Sequence, residues 1–101
     1  MSLSTIAVLY RWKLHSGKEE AFKQAWALLS EQLIQRGSLG SRLHRGADGW
    51  WYSYAAWPSV ASRDDAFNRE PLDAGALTIM RAAVAESCPE VVLEPVVDLL
   101  L

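Results

Sequence analysis

The stretch LGSRLHRGADGWWYSYAAW, residues 39–57, decides how the chain folds. Two strand-like runs, Leu39 to Arg45 and Trp50 to Trp57, flank Gly46-Ala47-Asp48-Gly49. Asp-Gly between such runs predicts a hairpin, because the turn needs positive φ angles. Upstream, Ile6, Val8, Tyr10, Trp12 and Leu14 alternate with Ala7, Leu9, Arg11 and Lys13, the period of a strand. Between the two lies a helix. Ser16 and Glu19 have the S-x-x-E spacing of a capping box, and Phe22, Trp26, Leu29 and Leu33 recur at helical spacing with Ala25 beside them. Gly37 is placed to stop that helix in a left-handed conformation. Downstream, Pro58-Ser59 ends the hairpin, and a helix carrying Val60, Ala66 and Phe67 is interrupted at Pro71. Leu77, Met80 and Val84 predict a second helical stretch ending before Pro89, and Val91 to Leu101 reads as a last strand. The order is βαββαβ, a single α+β domain over residues 1–101 with a ferredoxin-like antiparallel sheet and its helices on one face.

Composition fits that reading. Half of the 101 residues are hydrophobic and 22% are charged, the mixture of a globular protein, and five Trp bring much burial to a small core. A net charge of −2 and the lack of a basic block argue against a nucleic-acid partner. The apolar run Ile6 to Leu9 is too short for a signal peptide or a membrane span, and the single cysteine, Cys88, fits a reducing cytoplasm.

One face of such a sheet has no helices to cover it. Yet Trp51 and Trp57 point one way in the third strand while Trp50, Tyr52 and Tyr54 point the other. In the last strand Val91, Leu93 and Val97 oppose Val92 and Val96, and Leu99-Leu100-Leu101 adds more apolar surface. Apolar residues on both faces require both to be covered. A second copy of the chain is the economical cover, so a homodimer is expected.

Three segments carry a family resemblance: the first strand leading to His15-Ser16-Gly17-Lys18-Glu19-Glu20, the run Gly40-Ser41-Arg42-Leu43-His44-Arg45 with Asp48-Gly49 after it, and Tyr54-Ala55-Ala56-Trp57-Pro58-Ser59. Together they resemble the antibiotic biosynthesis monooxygenase-type family of dimeric α/β-barrel proteins, over nearly the whole chain. The resemblance implies two sheets joined back to back as a barrel, helices outside, and a pocket between sheet and helices in each subunit. Relatives include oxygenases of polycyclic aromatic or quinol substrates that use no flavin and no metal, and others that degrade haem. The haem-degrading relatives use an Asn on the first strand and a His on the second helical region. Here the only Asn is Asn68 and no His lies between Pro71 and Pro89, so haem degradation is not expected.

Cofactor-free oxygenation asks little of a protein, because a deprotonated phenol or hydroquinone supplies its own electrons. The site must hold an aromatic ring in a dry pocket, share one proton and steady an oxyanion. His44 can titrate near neutrality, and Arg42 shares its strand parity. Arg81, on an otherwise apolar helix, can counter an oxyanion. Tyr10, Trp12, Tyr54 and Trp57 are candidates for an aromatic wall around a small aromatic ligand. Each also has a structural reading: a packed or surface His44, an Arg42 paired across the dimer, a solvated Arg81, and aromatics that are simply core. His15 belongs to an exposed turn, and Cys88 to a buried inert thiol. No cofactor is expected: two His and one Cys, scattered, do not make a metal site, and no G-x-G-x-x-G or Walker pattern occurs. The residues leave two functions open, an oxygenase of hydroxylated aromatics and a non-catalytic dimer that binds an apolar metabolite or serves as a structural partner.

Overall fold

A computed structural model describes residues 5–100. Its elements are β1 (Ile6–Leu14), α1 (Glu19–Gln35), β2 (Gly40–Arg45), β3 (Trp51–Trp57), α2 (Val60–Phe67), α3 (Ala74–Ala83), β4 (Val84–Ser87) and β5 (Val91–Leu93). The sheet runs β2-β3-β1-β4, every pair antiparallel, and β5 also pairs with β1. β4 lies against Trp12 to Leu14 and β5 against Ala7 to Leu9, so two short strands share one edge of β1, and the first of them, β4, was not expected from the sequence. The Cys88 N–H bonds the Arg11 carbonyl at 3.0 Å between the two. This is the ferredoxin-like α+β arrangement.

Local chemistry accounts for most boundaries. Gly37, at φ 109°, ends α1 in a Schellman motif: its N–H reaches the Ile34 carbonyl and the Ser38 N–H reaches that of Leu33. Ser59 caps α2 by accepting from the Ser62 N–H at 3.0 Å, and Asp73 caps α3 by accepting from Ala76 at 2.8 Å. The hairpin turn closes with Gly49 at φ 86°, while Asp48 accepts from the Trp50 N–H at 2.9 Å and from the Tyr52 hydroxyl.

Three sequence expectations are corrected. The Ser16–Glu19 capping box does not form, because α1 begins two residues later than that spacing requires, with Lys18 at its N-cap. Glu19 is the first helical residue, and its carboxylate accepts from the Gly17 N–H instead. Val84 is not helical. α3 stops at Ala83, and Val84 turns into β4, where hydrogen bonds to β1 outweigh the helical spacing of Leu77, Met80 and Val84. The final strand covers only Val91–Leu93, and beyond it Pro95 offers no N–H for a ladder. Leu101 lies outside the described residues.

Side chains of β1 and β3 alternate between the two faces. Ile6, Val8, Trp51, Ala55 and Trp57 are buried beneath the helices, with Phe22, Ala25 and Leu29 of α1 and Ala76 and Ala83 of α3. An aromatic chain closes one end of this layer: Tyr10 stacks on Trp12, Trp12 meets Phe22 edge-on at 5.1 Å, and Phe22 meets Trp51 at 6.2 Å. At the other end Trp57 packs on Phe67 at 6.1 Å.

The Tyr52 hydroxyl holds the Asp48 carboxylate below its usual range, and the same bond raises the Tyr52 phenol. A depressed folded-state carboxylate contributes stability above its unfolded pKa and loses it as pH falls through the folded one. Tyr52→Phe should therefore lower the melting temperature slightly at neutral pH. That gap should close in acid, where Asp48 is protonated in both proteins, as calorimetry across pH would register.

Candidate aromatic cavity

The register of β1 on β3 sets side-chain size against size. Ile6 faces Trp57 and Trp12 faces Trp51 at the two ends, whereas Val8 faces Ala55 and Tyr10 faces Ser53 in the middle. On β2 the residues opposite Ala55 and Ser53 are Ser41 and Leu43. The sheet therefore has a floor of small side chains, Ser41, Ser53 and Ala55, between bulky ends that hold the helices off. Above it lies a cavity of about 170 Å³. Trp26, Leu29 and Leu33 of α1 form one wall, Leu77 and Met80 of α3 another, and Tyr10, Trp12, Trp57 and Phe67 the aromatic remainder.

The lining is mostly apolar with a few placed polar groups, the usual make-up of a small-molecule site. Trp26 donates its indole N–H to Ser53 Oγ at 3.2 Å. Trp57 is 1% exposed, and its indole N–H has no acceptor among the described residues. Among the described residues, Tyr10 is the only titratable side chain on the lining. Burial is the main reason its phenol lies above the ordinary value, a hydrogen bond from Arg63 partly opposing the rise, so it carries its proton at neutral pH. Among the described residues no carboxylate, imidazole or thiol lines the cavity, so its serines have no base among them to make them nucleophiles, and those residues offer a metal ion no ligand set.

Of the seven residues singled out in the sequence, the structure gathers three here: Tyr10, Trp12 and Trp57. Tyr54 does not join them. Strand alternation sends it to the opposite face, where it pairs in register with Leu9 and Arg42 and is exposed. Arg42 and His44 are exposed on that same helix-free face, since β2 directs Ser41 and Leu43 inward. Neither reaches the ring-binding cavity. Arg81 is exposed on α3 and lines a second, more open cleft of about 310 Å³. That cleft shares Trp12, Leu77 and Met80 with the cavity, which puts the Arg81 charge next to it but not on its wall. His15 lies in an exposed turn, and Cys88 is half-buried rather than buried.

Sequence reading missed Ser53 and Ala55, although the pattern Trp51-x-Ser53-x-Ala55-x-Trp57 signals a gap between two large side chains on one face. It also missed Arg63 and Glu90. Arg63 bonds Tyr10 and Glu90, 53 and 27 residues away in the chain, and no local pattern announces such a contact.

This is the fold of the antibiotic biosynthesis monooxygenases, an α+β sheet with its cavity beneath the helices. Among solved structures the chain is similar to SnoaB, a cofactor-independent oxygenase from Streptomyces nogalater, with a TM-score of 0.79 at 16% identity over 94% of this chain and 96% of that one. A structure named antibiotic biosynthesis monooxygenase matches with a TM-score of 0.72 at 16% identity, over 90% of this chain and 98% of that one. Rv0793 from Mycobacterium tuberculosis matches with a TM-score of 0.73 at 16% identity, over 94% and 98%. The likeness is one of fold. No family model and no curated protein matches the sequence.

The geometry separates the two faces by mutation. Ala55→Leu should fill the cavity floor and abolish binding of a one-ring aromatic such as phenol in calorimetric titration. His44→Ala, on the far face, should leave that affinity within about twofold of the wild type, as expected for a surface change that touches no ligand.

Proposed function

We propose that this protein is a monooxygenase that uses no cofactor and acts on a small hydroxylated aromatic or hydroquinone. The observation that carries this reading is the aromatic cavity whose only titratable group among the described residues is a protonated tyrosine. Such a site suits a reaction in which the substrate provides all the electrons and the protein supplies a dry, oriented enclosure with hydrogen-bond donors. For a hydroquinone the balance is simple. One atom of O₂ enters a ring carbon, the other leaves as water with the two hydrogens the substrate gives up, and a hydroxyquinone results. Likeness in fold to a cofactor-independent oxygenase of Streptomyces nogalater supports the same reaction class. The size of the cavity, about 170 Å³, favours one-ring substrates, since a cavity of about 150 Å³ holds a benzene ring.

The reading includes a homodimer. Leu9, Tyr54, Val91 and Leu93 share the helix-free face, and the last three are exposed. Val96, Val97, Leu99 and Leu100 are 75–88% exposed beyond it. That tail carries Glu94 and Asp98, while the open face carries Arg11, Lys13 and Arg42, so a second copy supplies both apolar cover and opposite charge.

Oxygen uptake by chelator-treated protein should proceed with one-ring hydroquinones, run slower with three-ring anthrones, and vanish in Ala55→Leu. Ring binding without any oxygen uptake would instead favour the non-catalytic binding dimer. Sedimentation should give a dimer for the wild type and a monomer for Tyr54→Glu/Leu93→Glu; a wild-type monomer would remove the dimer from the reading.

A further inference from the structure

Arg63 of α2 stands behind the cavity wall. Its side chain is 15% exposed, and Nη2 donates both to the Tyr10 hydroxyl at 3.0 Å and to Glu90 Oε2 at 2.6 Å. A guanidinium has donors only. The Tyr10 oxygen therefore accepts from Arg63, and its single proton must be directed elsewhere. None of the hydrogen bonds among the described residues takes that proton up. Tyr10 is partly buried, and an O–H that no described residue accepts is free to donate to an oxygen brought in from outside.

The surroundings hold the phenol in this role. The Tyr10 ring is stacked on Trp12 with planes 1° apart and centroids 5.7 Å apart, so it has little freedom to turn away. The guanidinium lies over Phe67, itself a cavity residue, at 5.2 Å. Glu90 balances the Arg63 charge without bonding Tyr10. A donor that already accepts from a cation is polarised, and its own O–H becomes a stronger donor.

We propose that Tyr10, positioned and polarised by Arg63, is the group that binds an anionic or carbonyl oxygen of a ring seated in the cavity, so that the site prefers phenolates to neutral rings of the same shape. This rests on the reading of the cavity as a ring-binding site and adds which end of the ring is recognised. Tyr10 touches the ligand, and Arg63 acts through it as a positioning residue. The burial that raises the Tyr10 phenol is consistent with a lasting donor.

Para-nitrophenol and nitrobenzene, nearly alike in shape, are the probes. The wild type should bind the phenolate form more tightly than nitrobenzene, and the visible absorption of bound para-nitrophenol should show it enriched as phenolate. Tyr10→Phe, which keeps the stacked ring, should weaken phenolate binding by about tenfold or more, the loss expected for a hydrogen bond to a charged group, with nitrobenzene affinity held within about twofold. Arg63→Met should lower the bound phenolate fraction in the same direction, and Arg63→Lys should recover part of it. If Tyr10→Phe binds both probes as the wild type does, or loses both equally, the inference is overturned and the ring-binding cavity survives. If the wild type binds neither probe, the cavity reading falls and the inference with it.

Discussion

The pairing of β1 with β3 places large side chains opposite large ones at the ends of the sheet and opposite small ones in its middle. Trp12 against Trp51 and Ile6 against Trp57 act as posts, and Ser53 and Ala55 leave the span between them open. Interiors pack densely, so such a gap closes unless the surrounding elements are held apart. Here α1 rests on the aromatic chain through Phe22 at one end, and α2 rests on Trp57 through Phe67 at the other. The cavity is thus a property of register. A slip of one residue would turn the floor of small side chains to the other face and remove it.

The same register sorts charge. Arg11, Lys13, Arg42 and His44 lie on the helix-free face, while the described residues that line the cavity beneath the helices are mostly apolar and carry no ionised group. This matters for chemistry. The described lining offers neither a general base for hydrolysis or acyl transfer nor a ligand set for a metal. What it offers is a half-open apolar pocket, aromatic contact and hydrogen-bond donation, the small set of services an electron-rich phenol needs while it reacts with oxygen. A fold alone does not assign a reaction, and the weight of the functional reading falls on this lining.

Much of the fold was legible along the chain because its signals are local. The alternation of Ile6 to Leu14, the Asp48-Gly49 turn, the Gly37 stop and the Pro58-Ser59 break each rest on geometry that a few neighbouring residues impose. Legibility failed where a local preference met a partner strand. Val84 has the spacing of a helix residue, yet pairing with Leu14 holds it in β4. In the site, Tyr10, Trp12 and Trp57 are readable as aromatic wall, whereas the strand parity of Tyr54 sends it to the other face. His44 and Arg42 have suitable chemistry for a site on the wrong face.

The order of elements, the ferredoxin-like class and the presence of apolar residues on both sheet faces follow from the chain's local pattern, because period and turn chemistry act over a few residues. Which aromatics share a cavity, that small side chains from β2 and β3 make its floor, and that Arg63 and Glu90 stand behind Tyr10 emerge with the packed fold. Those facts depend on contacts between residues 27 and 53 positions apart in the chain, and such contacts exist only once strands have paired and helices have packed.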